Sequence, residues 1–395
     1  MKKLTILDLE DSFFKGKRVF VRVDFNVPIK DGKIQDDTRI RKALPTITYL
    51  LDREARVILA SHLGRPKGER KPELSLRPVA EHLSKILKKE VKFVDDCVGN
   101  KVQNAVRALK NGEVILLENL RFHTEETKND ENFSRQLATL CDAYVNDAFG
   151  TAHRKHASTY GMAQFVEKRV AGILIKRELE ALTKVRENPE KPFVVVLGGA
   201  KVKDKIEIIE NLLPKADRFL IGGGMAYTFL KARGSSIGNS ILDEESLNKV
   251  SEFLKSEKIM LPIDHVAVSE ISENAEIKII KGDIEEGLIG VDIGPETLKL
   301  YTENIPDHGT LFWNGPMGVF EIDKFNKGSI GIAQAIKEAT SKGLYTVIGG
   351  GDTVSAIHKA GLEDEDFSHV STGGGATLEF LAGINLPGIE MLEDK

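Results

Sequence analysis

Short apolar runs recur along the chain, each closed by polar or glycine-rich positions and followed by residues at helical spacing. In the first half they fall at 18–23, 57–60, 91–94, 114–117 and 143–145. In the second half they fall at 193–197, 218–221, 264–268, 310–313, 344–348 and 369–371. Most are rich in β-branched residues and lack strict alternation, as expected of strands covered on both faces. Helical patterns separate many of them, at 77–87, 101–109, 205–213 and 329–340. Alternation of this kind predicts parallel sheets with crossover helices. A long amphipathic pattern at 172–185, followed by the polar stretch 188–192, marks a boundary near 165–190 and reads as a helix bridging two sheets. At 395 residues the chain exceeds what one core usually serves, which agrees with two domains.

The runs of the second half end in glycine clusters: 197–205 (LGGAKVKDK), 221–225 (IGGGM), 347–353 (VIGGGDT) and 371–377 (STGGGAT). In an open α/β sheet, ligands sit beyond the carboxyl ends of the strands. Glycine there lets backbone N–H groups approach phosphate oxygens, and a following helix aims its positive end at them. Four such turns predict loops converging on a polyphosphate. The spacing is not G-x-x-x-x-G-K-[ST], and no G-x-G-x-x-G follows a first strand, which argues against an NAD enzyme. Lys201, Lys203 and Lys205 follow the first turn and suit neutralisation of phosphate oxygens. Asp352-Thr353 reads as a helix start whose carboxylate caps the helix, meets a Mg²⁺–nucleotide, or does both. The stretch 313–321 (WNGPMGVFE) follows another strand and suits a base and ribose, with Glu321 receiving hydroxyls.

The first half carries a different chemistry. Residues 1–170 hold 14 of the 18 arginines but 8 of the 35 glycines, and no arginine lies beyond Arg233. Arginine presents a planar fork matched to carboxylate and phosphate. Some of these residues, such as Arg53, Arg107 and Arg135, suit solvated helices. Others stand where strands stop. Asp24 and Asn26 follow the first run, Arg39 opens a helix, His62 and Arg65 follow the second run, Arg121 the fourth and Arg154 the fifth. In a parallel sheet these ends share one face, so the set predicts a single anion pocket. Guanidinium groups gathered there repel one another unless an anion fills the pocket.

Bulk properties narrow the classes. A net charge of −4 and a pI near 6.2 argue against a nucleic-acid binder. No apolar run approaches the roughly 18 residues of a membrane span, and acidic residues interrupt the start of the chain, where a signal core would lie. Cys97 and Cys141 lack metal or redox spacing and are expected to be buried thiols in a reducing cytoplasm.

Taken together, the segments RVDFNVP, DDTRI, SHLGRP, LLENLRF, VNDAFG, AHRKHAS, GGAKVKDKI, IGGGMAYTF, WNGPMGVFE, GGGDT and STGGGATLEF, in this order, resemble phosphoglycerate kinase over essentially the whole chain. The resemblance implies two Rossmann-like α/β domains with parallel sheets joined by a hinge helix. Their expected limits are 1–170 for 3-phosphoglycerate, with the tail 378–395 packing back on it, 171–189 for the helix and linker, and 190–377 for nucleotide. It implies reversible phosphoryl transfer between 1,3-bisphosphoglycerate with ADP and 3-phosphoglycerate with ATP, Mg²⁺ accompanying the nucleotide, in a cytoplasmic monomer. By matching motifs, 3-phosphoglycerate is expected at Asp24, Asn26, Arg39, His62, Arg65, Arg121 and Arg154. Nucleotide is expected at Gly199, Ala200, Lys201, Lys205, Gly223, Gly224, Asn314, Glu321, Gly350, Gly351, Asp352 and Thr353, with Asp352 nearest the metal. Arg39, Lys201, Lys205 and the turn Gly373, Gly374, Gly375 are expected to meet the transferring group. Three rivals stand beside this reading: a kinase for another small acid, a two-domain anion receptor, and an NAD-dependent oxidoreductase.

Overall fold

The computed structural model describes residues 2–395. It divides into two compact units, one running to Glu180 and including Asn385–Lys395, the other Ala181–Ile384. The division falls inside one continuous helix.

In the first unit, strand β1 (Arg18–Arg22) leads to a small hairpin of β2 (Ile29–Lys30) and β3 (Lys33–Ile34), then helix α1 (Thr38–Asp52). There follow β4 (Arg56–Ala60), α2 (Arg77–Leu87), β5 (Val91–Val94), α3 (Asn100–Arg107), β6 (Val114–Leu117), α4 (Thr124–Thr127), α5 (Glu131–Ala138), β7 (Ala143–Asn146) and β8 (Lys168–Ala171). The sheet order is β5-β6-β4-β1-β7-β8, every pair parallel. Helix α1 buries Ile40, Ala43, Ile47 and Leu50, spaced three and four apart, against Val19, Val21, Val57 and Leu59. On the opposite sheet face Phe20 stacks on Tyr144, with ring centroids 6.2 Å apart. Chain connections leave β1 toward β4 and return to β7 on its other side, so the ligand crevice of such a sheet lies at the carboxyl ends of these central strands.

The last helix of this run, α6 (Ile173–Arg186), opens on Asp147, whose Oδ1 accepts the Leu174 N–H at 2.9 Å. The chain end returns to the first unit. Leu386, Ile389 and Leu392 are buried, Asn146 donates to Gly388 O at 3.0 Å, and Glu393 pairs with Lys168 at 2.9 Å. This return begins at Asn385. Phe380 and Leu381, which the sequence grouped with the tail, are tied within the second unit through Arg186 to Phe380 O (3.3 Å) and Asn211 to Leu381 O (2.6 Å).

The second unit contains β9 (Phe193–Leu197), β10 (Arg218–Ile221), β11 (Ile259–Met260), β12 (Asp264–Val268), β13 (Lys278–Lys281), β14 (Ile289–Ile293), β15 (Thr310–Asn314), β16 (Tyr345–Gly349) and β17 (His369–Val370). Six form a parallel sheet of order β11-β10-β9-β15-β16-β17, the doubly wound order whose switch point lies between β9 and β15. The run at 264–268 departs from expectation. It is the centre of a separate antiparallel sheet, β13-β12-β14. All five β12 residues are buried, and Thr297 of the helix Pro295–Glu303 bonds Asp264. An unbroken apolar run reports burial and carries no information on strand direction.

At the switch point two loops touch through their backbones. A Cβ on Gly198 would lie 2.1 Å from Pro316 O, and one on Gly315, where φ is 95°, would lie 2.3 Å from Gly198 O. Only glycine permits this approach. Gly198→Ala should therefore destabilise the second unit by about 1–3 kcal/mol. The single tryptophan, Trp313, is buried in β15 beside this contact, so its fluorescence during denaturant unfolding reads the change; an unaltered midpoint would contradict the steric argument.

Candidate functional sites of the two units

In the first unit, three strand-end loops are stitched together by side chains that the sequence singled out. Beyond β1, Asn26 accepts the Gly64 N–H at 2.9 Å through Oδ1, joining the loop after β4. Arg121, after β6, donates to Gly64 O at 3.0 Å. Asn119 accepts from Leu63 N and Arg121 N at 3.1 and 3.0 Å, a bridging role the sequence did not assign. Arg39, in the first turn of α1, reaches both Asp24 oxygens and Asn26 O, each at 3.2 Å. His62 is buried at the end of β4, while Arg65 and Arg154 are exposed.

A residue missed in the sequence holds the centre. Arg22, the last residue of β1, is fully buried. Its guanidinium donates to Ser158 Oγ at 2.8 Å, to Val23 O, and to His62 Nδ1 at 3.2 Å. These partners are all neutral. Donation to Nδ1 leaves the proton of neutral His62 on Nε2. Burial, then the charges of Arg22, Arg121 and Arg39, hold the His62 pKa well below its usual value. Burial and Arg121, Arg22 and Arg154 bring His156, also unassigned before, down to about 4. Arg121 is itself lowered by burial and Arg22, with Glu126 opposing and Arg65 adding to the shift. Thus Arg39, His62, Arg65, Arg121 and Arg154 lie within one field, built around Arg22. Among the described residues, the one direct ion pair of this set is Arg39 with Asp24. The signal available in the sequence was an arginine inside an otherwise apolar strand, VFVRV.

In the second unit, part of the glycine signal serves packing between loops. Gly198 N donates to Asn314 O (2.9 Å), Gly199 N to Pro316 O (3.0 Å) and Gly223 N to Met317 O (2.9 Å). These amides are engaged in holding the loops to one another, so their glycines serve close approach of backbone to backbone. Ala200 and Gly224 share that contact: a Cβ on Gly224 would meet Ala200 O at 2.8 Å.

Lys205 is nearly buried, and its Nζ donates to Asn314 Oδ1. Asn314 in turn donates to Gly349 O at 2.7 Å, and Thr353 Oγ1 accepts the Gly315 N–H at 2.7 Å, linking the ends of β15 and β16. Burial lowers the Lys205 pKa to about 8, with Asp204 and Asp352 opposing. The N-cap of the helix Gly351–Lys359 is Gly350, with φ 96°, and no side chain caps it. Asp352 stands exposed in the first turn, its carboxylate not spent on capping. Lys201 and Glu321 are also exposed. The turn Gly373-Gly374-Gly375 is shaped by Ser371, whose Oγ accepts Gly373 N at 3.2 Å and contacts Thr377 Oγ1 at 2.6 Å. An exposed carboxylate at a helix start beside a buried amine suits a metal–polyphosphate.

Comparison with known proteins agrees with this division of chemistry. The family model described as phosphoglycerate kinase matches residues 9–384. The protein named phosphoglycerate kinase from Dictyoglomus turgidum is 54% identical over 401 residues, covering 100% of both chains. Its namesake from Thermosipho africanus is 54% identical over 402 residues, covering 100% of this chain and 99% of the other. Among solved structures, phosphoglycerate kinase from Coxiella burnetii superposes with a TM-score of 0.88 at 43% identity, and that from Pyrococcus horikoshii OT3 with 0.84 at 33%, each covering 98% of both chains. By sequence and by fold, over nearly its whole length, the chain belongs to the phosphoglycerate kinase family.

Proposed function

We propose that the first unit seats 3-phosphoglycerate in its arginine–histidine field and the second seats the nucleotide at the β9/β15 switch point, for the kinase reaction of the family. The observation that carries this is the single positive field of Arg22, Arg39, Arg65, Arg121 and Arg154 around neutral His62, in which, among the described residues, Asp24 makes the one direct ion pair. A phosphate and a carboxylate on a three-carbon frame supply the missing negative charge. Asp24 and Asn26 then orient the substrate hydroxyl and backbone loops, and Arg65, Arg121 and Arg154 take the phosphate.

Toward ATP consumption, a carboxylate oxygen of 3-phosphoglycerate attacks the γ-phosphorus of ATP. The bond from that phosphorus to the β–γ bridging oxygen breaks, and ADP leaves with the electron pair. The carboxylate is already ionised at neutral pH, so no general base is needed. Protein groups act by placement and by neutralising charge. Arg39 and Lys201 meet the equatorial oxygens of the transferring group. Lys205, whose pKa near 8 follows from burial, regains full charge beside a polyphosphate. Asp352 would meet the magnesium ion that arrives with the nucleotide and neutralises its phosphate oxygens. Gly350, Gly351 and Thr353 open the helix that faces the phosphates, Asn314 and Glu321 lie toward the ribose, and the turn at Gly373–Gly375 adds backbone amides near the transferred group. In-line transfer further requires the two ligands to be brought together in a water-poor site, a closure we assign to the α6 helix.

Two substitutions test the assignment. Arg39→Ala should lower kcat by about 10²–10³-fold with a modest change in KM, the effect of removing one donor to developing charge; near-normal kcat in steady-state kinetics would remove Arg39 from that role. Lys201→Ala should leave binary binding of 3-phosphoglycerate intact while depressing turnover. Calorimetry showing that binding abolished in a folded variant would contradict the division into two ligand units.

A further inference from the structure

At the carboxyl end of β5 and in the turn after β6, three kinds of donor meet. Asp96, Cys97 and His123 each offer one ligand atom, and these atoms lie within 4.8 Å of one another. None of them contributes to the anion field. Cys97 is fully buried, and its thiol donates to Glu118 O at 2.9 Å. His123 Nε2 lies 2.7 Å from Asp96 Oδ1, an oxygen that also accepts the Cys97 N–H at 2.7 Å. The imidazole is held against Phe133, with ring centroids 5.1 Å apart. On the outer side, Asp96 Oδ2 meets the half-exposed Arg70 at 3.2 Å.

We propose that Asp96, Cys97 and His123 form a binding site for one soft divalent cation of the zinc class, with water completing the tetrahedron. Thiolate, imidazole and carboxylate are the donors such ions favour, at about 2.3 Å for sulfur and about 2.0–2.2 Å for nitrogen and oxygen. Ligand atoms of that tetrahedron stand roughly 3–4 Å apart, so Nε2 and Oδ1, now 2.7 Å apart, open slightly, while the other separations, none above 4.8 Å, close by about an ångström. Magnesium and calcium are disfavoured, because the set offers sulfur and few oxygens.

The exchange balances without redox chemistry. The cation enters, the thiol proton leaves to solvent, and the imidazole proton now between Nε2 and Oδ1 passes to Nδ1. Arg70 gives up Asp96 and turns to water, its charge replaced by that of the ion. Thiolate and carboxylate then neutralise the two positive charges. The surroundings favour this exchange. The carboxylates of Asp96, Glu118 and Glu126 lie near the thiol, and their negative field attracts a dication.

Cobalt(II) is the probe, titrated into the full-length, metal-free protein in the absence of nucleotide. The expected result is one equivalent bound with tetrahedral visible bands and a near-ultraviolet thiolate-to-cobalt band, both removed by added zinc. Cys97→Ala should abolish the thiolate band and weaken binding at least tenfold, Cys141→Ala should change neither, and Arg70→Ala should tighten binding severalfold. If Cys97→Ala does not fold, His123→Gln, at a partly exposed position, should weaken binding at least tenfold. Absence of the thiolate band in the native protein, its persistence in Cys97→Ala, or unchanged affinity in His123→Gln would overturn the site.

Discussion

Burying positive charge without a negative charge bonded to it is unfavourable, and the first unit does so at the carboxyl edge of its sheet. Arg22 is wholly enclosed, and its three partners are a hydroxyl, a carbonyl and an imidazole. An unpaired buried charge costs several kcal/mol, which the rest of the fold must offset. The neighbouring histidines respond by staying neutral, His62 through burial and three nearby guanidinium groups, His156 likewise. On the proposed reading, a phosphate bound here would relieve this field. The stitched loops matter for the same reason: Asn26, Asn119 and Arg121 fix the backbone to which the charges are attached, and mutual repulsion cannot simply push them apart.

The second unit solves a related problem by other means. It has no comparable cluster of long cations. Instead, glycines at the ends of β9 and β15 let two loops pack backbone to backbone, and the amides of Gly198 and Gly199 are consumed in that packing. Rigidity at this point holds Asn314, which in turn positions the amine of Lys205 and the start of the helix at Gly351. One unit thus places charge on side chains anchored by amides, and the other places a few charged groups on a tightly folded backbone. Both arrangements follow from the same rule, that a parallel sheet delivers all its functional loops to one edge.

Much of this was legible in the chain itself. Apolar runs located the strands of both large sheets to within a residue or two, except Lys168–Ala171 and Ile259–Met260, and polar residues at their ends named most of the candidate site. What escaped had physical reasons. Arg22 hides within an apolar strand, where only its burial reveals it as part of the field. The run at 264–268 is buried like its parallel neighbours, yet its partners β13 and β14 are antiparallel. The strand β13 is a largely exposed edge, Lys-Ile-Ile-Lys, with no core signal. The glycine clusters were read as amides facing a polyphosphate, but composition cannot tell whether an amide faces a phosphate or a neighbouring carbonyl. The same ambiguity surrounded Asp352, which lies two residues past the N-cap, Gly350, and does not cap the helix.

The central claim is that each unit holds one ligand at the carboxyl edge of its own sheet. Hydrogen exchange with 3-phosphoglycerate alone, and separately with Mg·ADP alone, tests it most directly. The account expects the first ligand to slow exchange at 24–26, 61–66, 119–122 and 150–156, and the second at 198–205, 314–321 and 350–354. Protection of the glycine loops by 3-phosphoglycerate alone, or of the arginine loops by Mg·ADP alone, would contradict it.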